Sequence, residues 1–177
     1  GVSMLGEGGM LKPNFWRAPT DNDFGANLQR RFLDWKEPGL RMKRNSLKWV
    51  KEGNNMVVTA EYDLPKLEAT LLMKYILTAD GQLIVNQSLK AGENKEGKPQ
   101  LFRFGMQMVI PEAYANIEYY GNGPGENYID RNNDQTIGFY SQTVADQYFP
   151  YIRPQESGNK TEVRYWRVLD AEGKGLE

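Results

Sequence analysis

At 177 residues the chain has the size of one ordinary domain, and its 40% apolar and 25% charged content is that of a globular fold. It contains no cysteine and no histidine, which excludes disulfides, thiolate metal sites, imidazole bases, serine–histidine–aspartate triads and imidazole-ligated metals. The net charge of −1 conceals a basic first third, ten Lys/Arg against five Asp/Glu over 1–51, but Asp34 and Glu37 interrupt it, which argues against a nucleic-acid face, and no apolar run is long enough to cross a membrane.

Residues 1–14, with glycine at positions 1, 6, 8 and 9, read as a flexible lead-in to a domain over 15–177. A short helix is expected over 26–36, where Leu28, Phe32 and Trp35 share a face at i, i+4, i+7, with Asp23 as candidate N-cap and Pro38-Gly39 as the stop. Beyond it the apolar period becomes two. Leu47 and Trp49 alternate with lysines after a slip near Arg44-Asn45, and strands follow over 56–64, 69–77 and 83–89. Asp80-Gly81 between the last two is a hairpin cue. A polar loop over 91–100 precedes a strand over 101–110 ended by Pro111, and shorter strands are expected over 117–120, 136–141 and 163–169. Turns at this spacing predict an all-β antiparallel sandwich with one short helix.

Three stretches carry the residues of chemical interest. "FWRAPTDNDFG" (15–25) restricts the backbone at Arg17-Ala18-Pro19, then supplies Asp21, Asn22 and Asp23. These are short acceptors suited to a capped turn or to sugar hydroxyls, and a tight turn points both aspartates outward. The glycine at the sixth position and glutamate at the twelfth that a calcium loop needs are missing, so no metal site is expected. "YYGNGPGENYIDR" (119–131) follows a strand with three glycines and a proline. Its G-x-G-P-G spacing does not open a helix and is no dinucleotide fingerprint. Glu126, Asn127, Tyr128, Asp130 and Arg131 either lock the loop or touch a ligand, with Arg131 able to fork onto a carboxylate. "YIRPQESGNKTEVRYW" (151–166) adds Arg153 and Glu156, and eight of the ten tyrosines fall between Tyr114 and Tyr165. Tyrosine suits stacking on a sugar ring but more often simply packs.

In this order, the three stretches resemble the C-terminal, small-chain domain of bacterial β-galactosidases of glycoside hydrolase family 2, over 15–166. The resemblance implies an antiparallel β-supersandwich of the mutarotase-like kind within a larger enzyme that hydrolyses terminal β-galactosides such as lactose by the retaining route. The two carboxylates of that route reside in a separate (β/α)8 barrel, so no residue here is expected to be catalytic. It further implies that the loop matching Arg17, Asp21, Asn22 and Asp23 lies at the rim of the substrate pocket. The family's sugar-stacking tryptophan falls beyond Glu177, so the supersandwich is expected to be truncated. No cofactor is implied for this piece, although a divalent or monovalent cation is compatible with the parent. Implied partners are the barrel and a β-galactoside, neither nucleic acid nor membrane. Bare strand edges and apolar faces imply self-association as a dimer. The compartment, cytoplasm or periplasm, is left open. The alternative reading is an independent carbohydrate-binding β-sandwich module built on the 114–165 aromatics.

Overall fold

The computed structural model describes residues 11–36, 42–93 and 97–177. Its described residues divide into two compact units. One comprises 12–17 and 27–106; the other comprises Leu11, 18–26 and 107–177. The strands are β1 (Leu11–Asn14), β2 (Lys43–Glu52), β3 (Asn55–Leu64), β4 (Ala69–Leu77), β5 (Leu83–Ala91), β6 (Gly105–Met108), β7 (Asn116–Gly123), β8 (Thr136–Thr143), β9 (Tyr165–Leu169) and β10 (Gly175–Leu176). The helices are α1 (Asp21–Gly25) and α2 (Leu28–Arg31), the latter followed by a 3₁₀ turn at Leu33–Trp35. The expected all-β antiparallel architecture is therefore present, and β1 pairs with β6 in a two-stranded sheet.

In the first unit β2-β3-β4-β5 form an antiparallel meander in chain order. The slip near Arg44-Asn45 is real: the β2–β3 register shifts between Arg44 and Ser46. That extra residue keeps Leu47 and Trp49 opposite Ala60 and Val58, on the core face. The core consists of Ala60, Leu64, Ala69, Leu71 and Met73 from the sheet, with Leu67, Phe15 and Trp35. The Phe15 and Trp35 rings lie 5.6 Å apart, and the Trp35 indole N–H donates to the Pro99 carbonyl at 3.2 Å. A buried indole needs such an acceptor. The β4–β5 connection spans five residues, 78–82, with Gly81 at φ +88. It is tied by Gln82 N donating to Thr78 Oγ1 at 3.0 Å.

Several boundaries differ from expectation. Leu11–Asn14 of the lead-in form β1; the rest of that segment, like Pro38-Gly39, lies outside the described residues. Instead of a single helix over 26–36 there are two short pieces, α2 and the 3₁₀ turn, parted at Phe32 (φ −107), while a left-handed Asn27 at φ 56 separates them from α1, which lies ahead of the expected range. Leu28, Phe32 and Trp35 nonetheless turn inward, Trp35 fully, and half-buried Gln29 joins them. The strand expected over 101–110 shrinks to Gly105–Met108, because Phe102 instead stacks flat on Phe32 at 5.1 Å.

In the second unit the sheet order is β10-β9-β7-β8, all antiparallel. Ile117, Tyr119 and Val168 form its core, joined by Ile110, Tyr114, Tyr140 and Leu176. Gly123 ends β7 at a close approach: a Cβ there would lie 2.2 Å from the Tyr119 hydroxyl and 2.8 Å from the Tyr140 ring. The Gly123–Pro124 peptide is cis.

Candidate functional site

The loop after β7 is built around two side chains. Asn127 is 0% exposed and satisfies both ends of its amide. Its Nδ2 donates to the carbonyls of Asn122 and Gly125, both at 3.0 Å. Its Oδ1 accepts from Thr161 N at 2.7 Å and Thr161 Oγ1 at 2.5 Å. Its backbone pairs with Asn159, donating N–H to the Asn159 carbonyl at 2.8 Å and accepting from Asn159 Nδ2 at 2.7 Å. One amide thus clamps 122–127 to 159–161, as a buried polar group must do to offset its desolvation.

Glu126 is the second centre. Its Oε1 accepts from Arg131 Nη2 at 3.2 Å and from the Tyr151 hydroxyl, and its Oε2 accepts from the Gly158 N–H at 2.8 Å. Arg131 Nη1 donates to the Tyr151 oxygen at 2.6 Å, closing a triangle of Glu126, Arg131 and Tyr151. The guanidinium also lies 4.4 Å from the Tyr128 ring centroid and 5.6 Å from that of Tyr151. Arg131 therefore splits its fork between a carboxylate and a phenol, rather than gripping one carboxylate with both arms. Gly158 has φ +80, and a Cβ there would lie 2.6 Å from the Gln147 carbonyl, so only glycine brings this N–H to Glu126.

Tyr128 and Arg131 exchange backbone hydrogen bonds at 3.1 and 3.0 Å, leaving Ile129 and Asp130 exposed at the turn's tip. Asp130 enters no ion pair among the described residues. Burial, aided by the negative charges of Glu126 and Glu156, pushes the Tyr128 phenol up to about 12, against the Asn159 backbone and Arg131. Burial alike pushes Tyr119 up to about 12, with Tyr140 adding to it. Lys160 is held below its ordinary range by burial, which Glu126 partly opposes.

The opening stretch is fastened from both sides. Thr20 is the N-cap of α1: Asp23 N donates to Thr20 Oγ1 at 3.4 Å, and Thr20 N donates to Asp23 Oδ2 at 2.8 Å, a reciprocal capping box. Asp23 is 4% exposed, so it does not point outward and is the N3 residue, not the cap. The reason is local: the threonine three residues upstream offers the N–H its carboxylate needs. Asp21 and Asn22 do face solvent, the first half-buried and the second exposed. Asp21 ties the loop to the 151–158 stretch, its N–H donating to the Pro154 carbonyl at 2.8 Å and its Oδ1 accepting from Arg153 Nη1 at 3.4 Å. Arg17 lies in the other unit, its guanidinium 4.6 Å from the Phe102 ring.

Of the residues singled out in the sequence, Glu126, Asn127, Tyr128 and Arg131 share one cluster, and Asp21 and Arg153 share a second contact. Glu156 is half-buried and close enough for its charge to reach Tyr128. Sequence reasoning missed Asn122, Gly158, Asn159, Lys160 and Thr161 as members; the third stretch contains the last four, but nothing in their spacing says which faces the second. The carboxylates of Glu126, Asp23 and Glu118 are engaged by Arg131 and Tyr151, by the Thr20 N–H, and by Arg167 respectively.

The family model described as "Beta galactosidase small chain" matches residues 1–176. Among curated proteins, a Beta-galactosidase of Priestia megaterium is 34% identical over 166 residues, covering 94% of this chain and 16% of the relative. One from Lactobacillus delbrueckii subsp. bulgaricus is 36% identical over 166 residues, 92% of this chain and 16% of the relative. One from Streptococcus thermophilus is 32% identical over 178 residues, all of this chain and 17% of the relative. The chain thus spans about a sixth of the length of the curated relatives it matches.

Proposed function

The chain belongs to the β-galactosidase small-chain family, and from that premise we propose that it is the accessory domain of a retaining β-galactosidase, shaping the rim of an active site whose catalytic acids lie elsewhere in the parent enzyme. The substrate is a terminal β-galactoside such as lactose, and the partner is the catalytic barrel of the parent. The observation that supports this reading best is the double fastening of 18–26. The Asp23 capping box holds α1 from within, and Asp21 holds it to 153–154, while Asn22 stays exposed. A rim loop needs that combination, because a presented polar group loses affinity if its backbone wanders.

The domain also supports assembly. On the core face of β2–β5, Phe15 and Trp35 cover one half, while Leu47, Trp49, Leu77 and Leu83 at the other half are exposed, Trp49 by 69%. An apolar surface of this kind is a docking face for the rest of the parent and a cause of self-association when the chain is alone.

The test is steady-state kinetics of the intact enzyme with a nitrophenyl β-galactoside. Asn22→Ala and Asp21→Ala are each expected to raise KM by about threefold to tenfold, the worth of about one net hydrogen bond, with kcat close to wild type. Unchanged KM in both variants removes the loop from the substrate pocket.

A further inference from the structure

The second unit carries a groove that the reading above does not use. It is a depression of about 490 Å³ over the face of β7, β8 and β9 opposite to the Ile117–Tyr119–Val168 core. The register sorts its side chains into two rows. Tyr120 pairs with Phe139 on β8 and Tyr165 on β9, giving a row of three aromatic rings across the strands. Two residues along, Glu118 pairs with Ser141 and Arg167, giving a row of hydroxyl, carboxylate and guanidinium. Neighbours within a row are about 4.8 Å apart, and the rows about 7 Å apart.

Several observations indicate what such a surface takes. Phe139 is 79% exposed although its ring lies 4.5 Å from that of Tyr120, so the β8 end of the row is bare, while Tyr120 and Tyr165 are half-buried and the Arg167 guanidinium lies 5.7 Å from the Tyr165 centroid. Arg167 binds Glu118 through Oε2 alone, with Nε at 2.8 Å, and Oε1 accepts no hydrogen bond among the described residues. The cations are balanced: Arg167 faces Glu118, and Arg164, whose guanidinium lies 5.6 Å from the Tyr120 centroid, has Glu162 at 3.9 Å. A neutral groove does not select an anion. It suits a neutral ring with one apolar face and hydroxyls along its edge.

We infer that the groove is a pyranoside-binding subsite, the sugar's C–H face lying on Tyr120, Phe139 and Tyr165 and its edge hydroxyls meeting Ser141, Glu118 Oε1 and Arg167. Tyrosine and phenylalanine faces supply the stacking energy, and the paired charges supply direction without a net charge to desolvate. The subsite is separate from the rim loop and does not rest on the proposed parent activity, since it is read by binding and not by turnover.

The test is an NMR titration of the isotope-labelled chain with methyl β-galactoside and with lactose. The backbone amides of Tyr120, Phe139, Ser141 and Tyr165 are expected to shift together and saturate with a Kd of about 1 mM. Phe139→Ala is expected to weaken binding at least about tenfold and Glu118→Gln several-fold, with resonances of the opposite core face unmoved in both. The Glu118→Gln variant keeps the proposal testable if loss of Phe139 disturbs the sheet. Absence of saturable shifts at about ten times that concentration overturns the inference. So do shifts that survive undiminished in both variants, or adenosine monophosphate moving the same amides equally, which would mark a general stacking platform.

Discussion

Asn127 is the side chain whose loss the structure converts most directly into a magnitude. Truncating it as Asn127→Ala removes four hydrogen bonds, but not all four partners are stranded. Gly125 is exposed and its carbonyl regains water, while the Thr161 hydroxyl keeps Asn122 Nδ2 at 3.0 Å as a neighbour. The Asn122 carbonyl and the Thr161 N–H remain, inside a site where Asn127 is fully enclosed. At about 1–3 kcal/mol for each of these two unsatisfied groups, the variant is expected to lose about 2–6 kcal/mol. Asn127→Asp is expected to fare no better, because its second oxygen would face two carbonyls as a third acceptor. Urea unfolding followed by Trp166 fluorescence in a chain whose other tryptophans are replaced by phenylalanine reads this unit, with hydrogen exchange of the Thr161 amide as a local check. A loss below about 1 kcal/mol with Thr161 protection intact would refute the claim that one amide clamps the two loops.

Gly158→Ala is expected to cost at least about 1–3 kcal/mol, from left-handed strain and a Cβ pressed on the Gln147 carbonyl, with the same unfolding assay deciding. In alkali, Tyr119 and Tyr128, both pushed up to about 12, hold their protons when the unfolded chain has released them near pH 10. Their stabilisation is therefore present below pH 10 and lost as pH rises towards 12, whereas the lowered Lys160 works in the opposite sense, favouring folding as it deprotonates ahead of the unfolded chain. Tyrosinate absorbance is expected to show late titrations for Tyr119, Tyr128 and also Tyr75, which burial and neighbouring Tyr62 raise as well, with Tyr119→Phe and Tyr128→Phe each removing one of them; a variant that loses none would contradict the assignment. Finally, the chain alone is expected to self-associate at high concentration by light scattering and to do so less as Trp49→Glu; a strictly monomeric wild type counts against the bare sheet face as an assembly surface.

Period-two alternation marked β3, β4 and β5, and even the Arg44–Ser46 bulge, because each buries one face on a continuous core and the pattern is written in consecutive residues. The helix was harder to place. Its apolar face was legible in Leu28, Phe32 and Trp35, but its breaks depend on the left-handed Asn27 and on the Thr20–Asp23 cap competing for the first turn. The second and third stretches stood out by composition. Which residues meet is set by long-range register, as when Glu126 finds Gly158 and Asn127 finds Thr161, and no local spacing encodes that. The aromatic groove was visible only as a surplus of tyrosines. Its two rows exist because Tyr120 and Glu118 of β7 each meet partners on both neighbouring strands.

The central claim is that this chain is scaffold, with Glu126, Glu118 and Asp23 engaged by arginines, a phenol and backbone N–H groups. The measurement that bears on it most directly is turnover of a nitrophenyl β-galactoside by the purified 177-residue chain, scored alongside Glu126→Gln and Glu118→Gln. The account predicts no hydrolysis above the uncatalysed rate in any of the three. Hydrolysis by the wild-type chain that either substitution abolishes would contradict it.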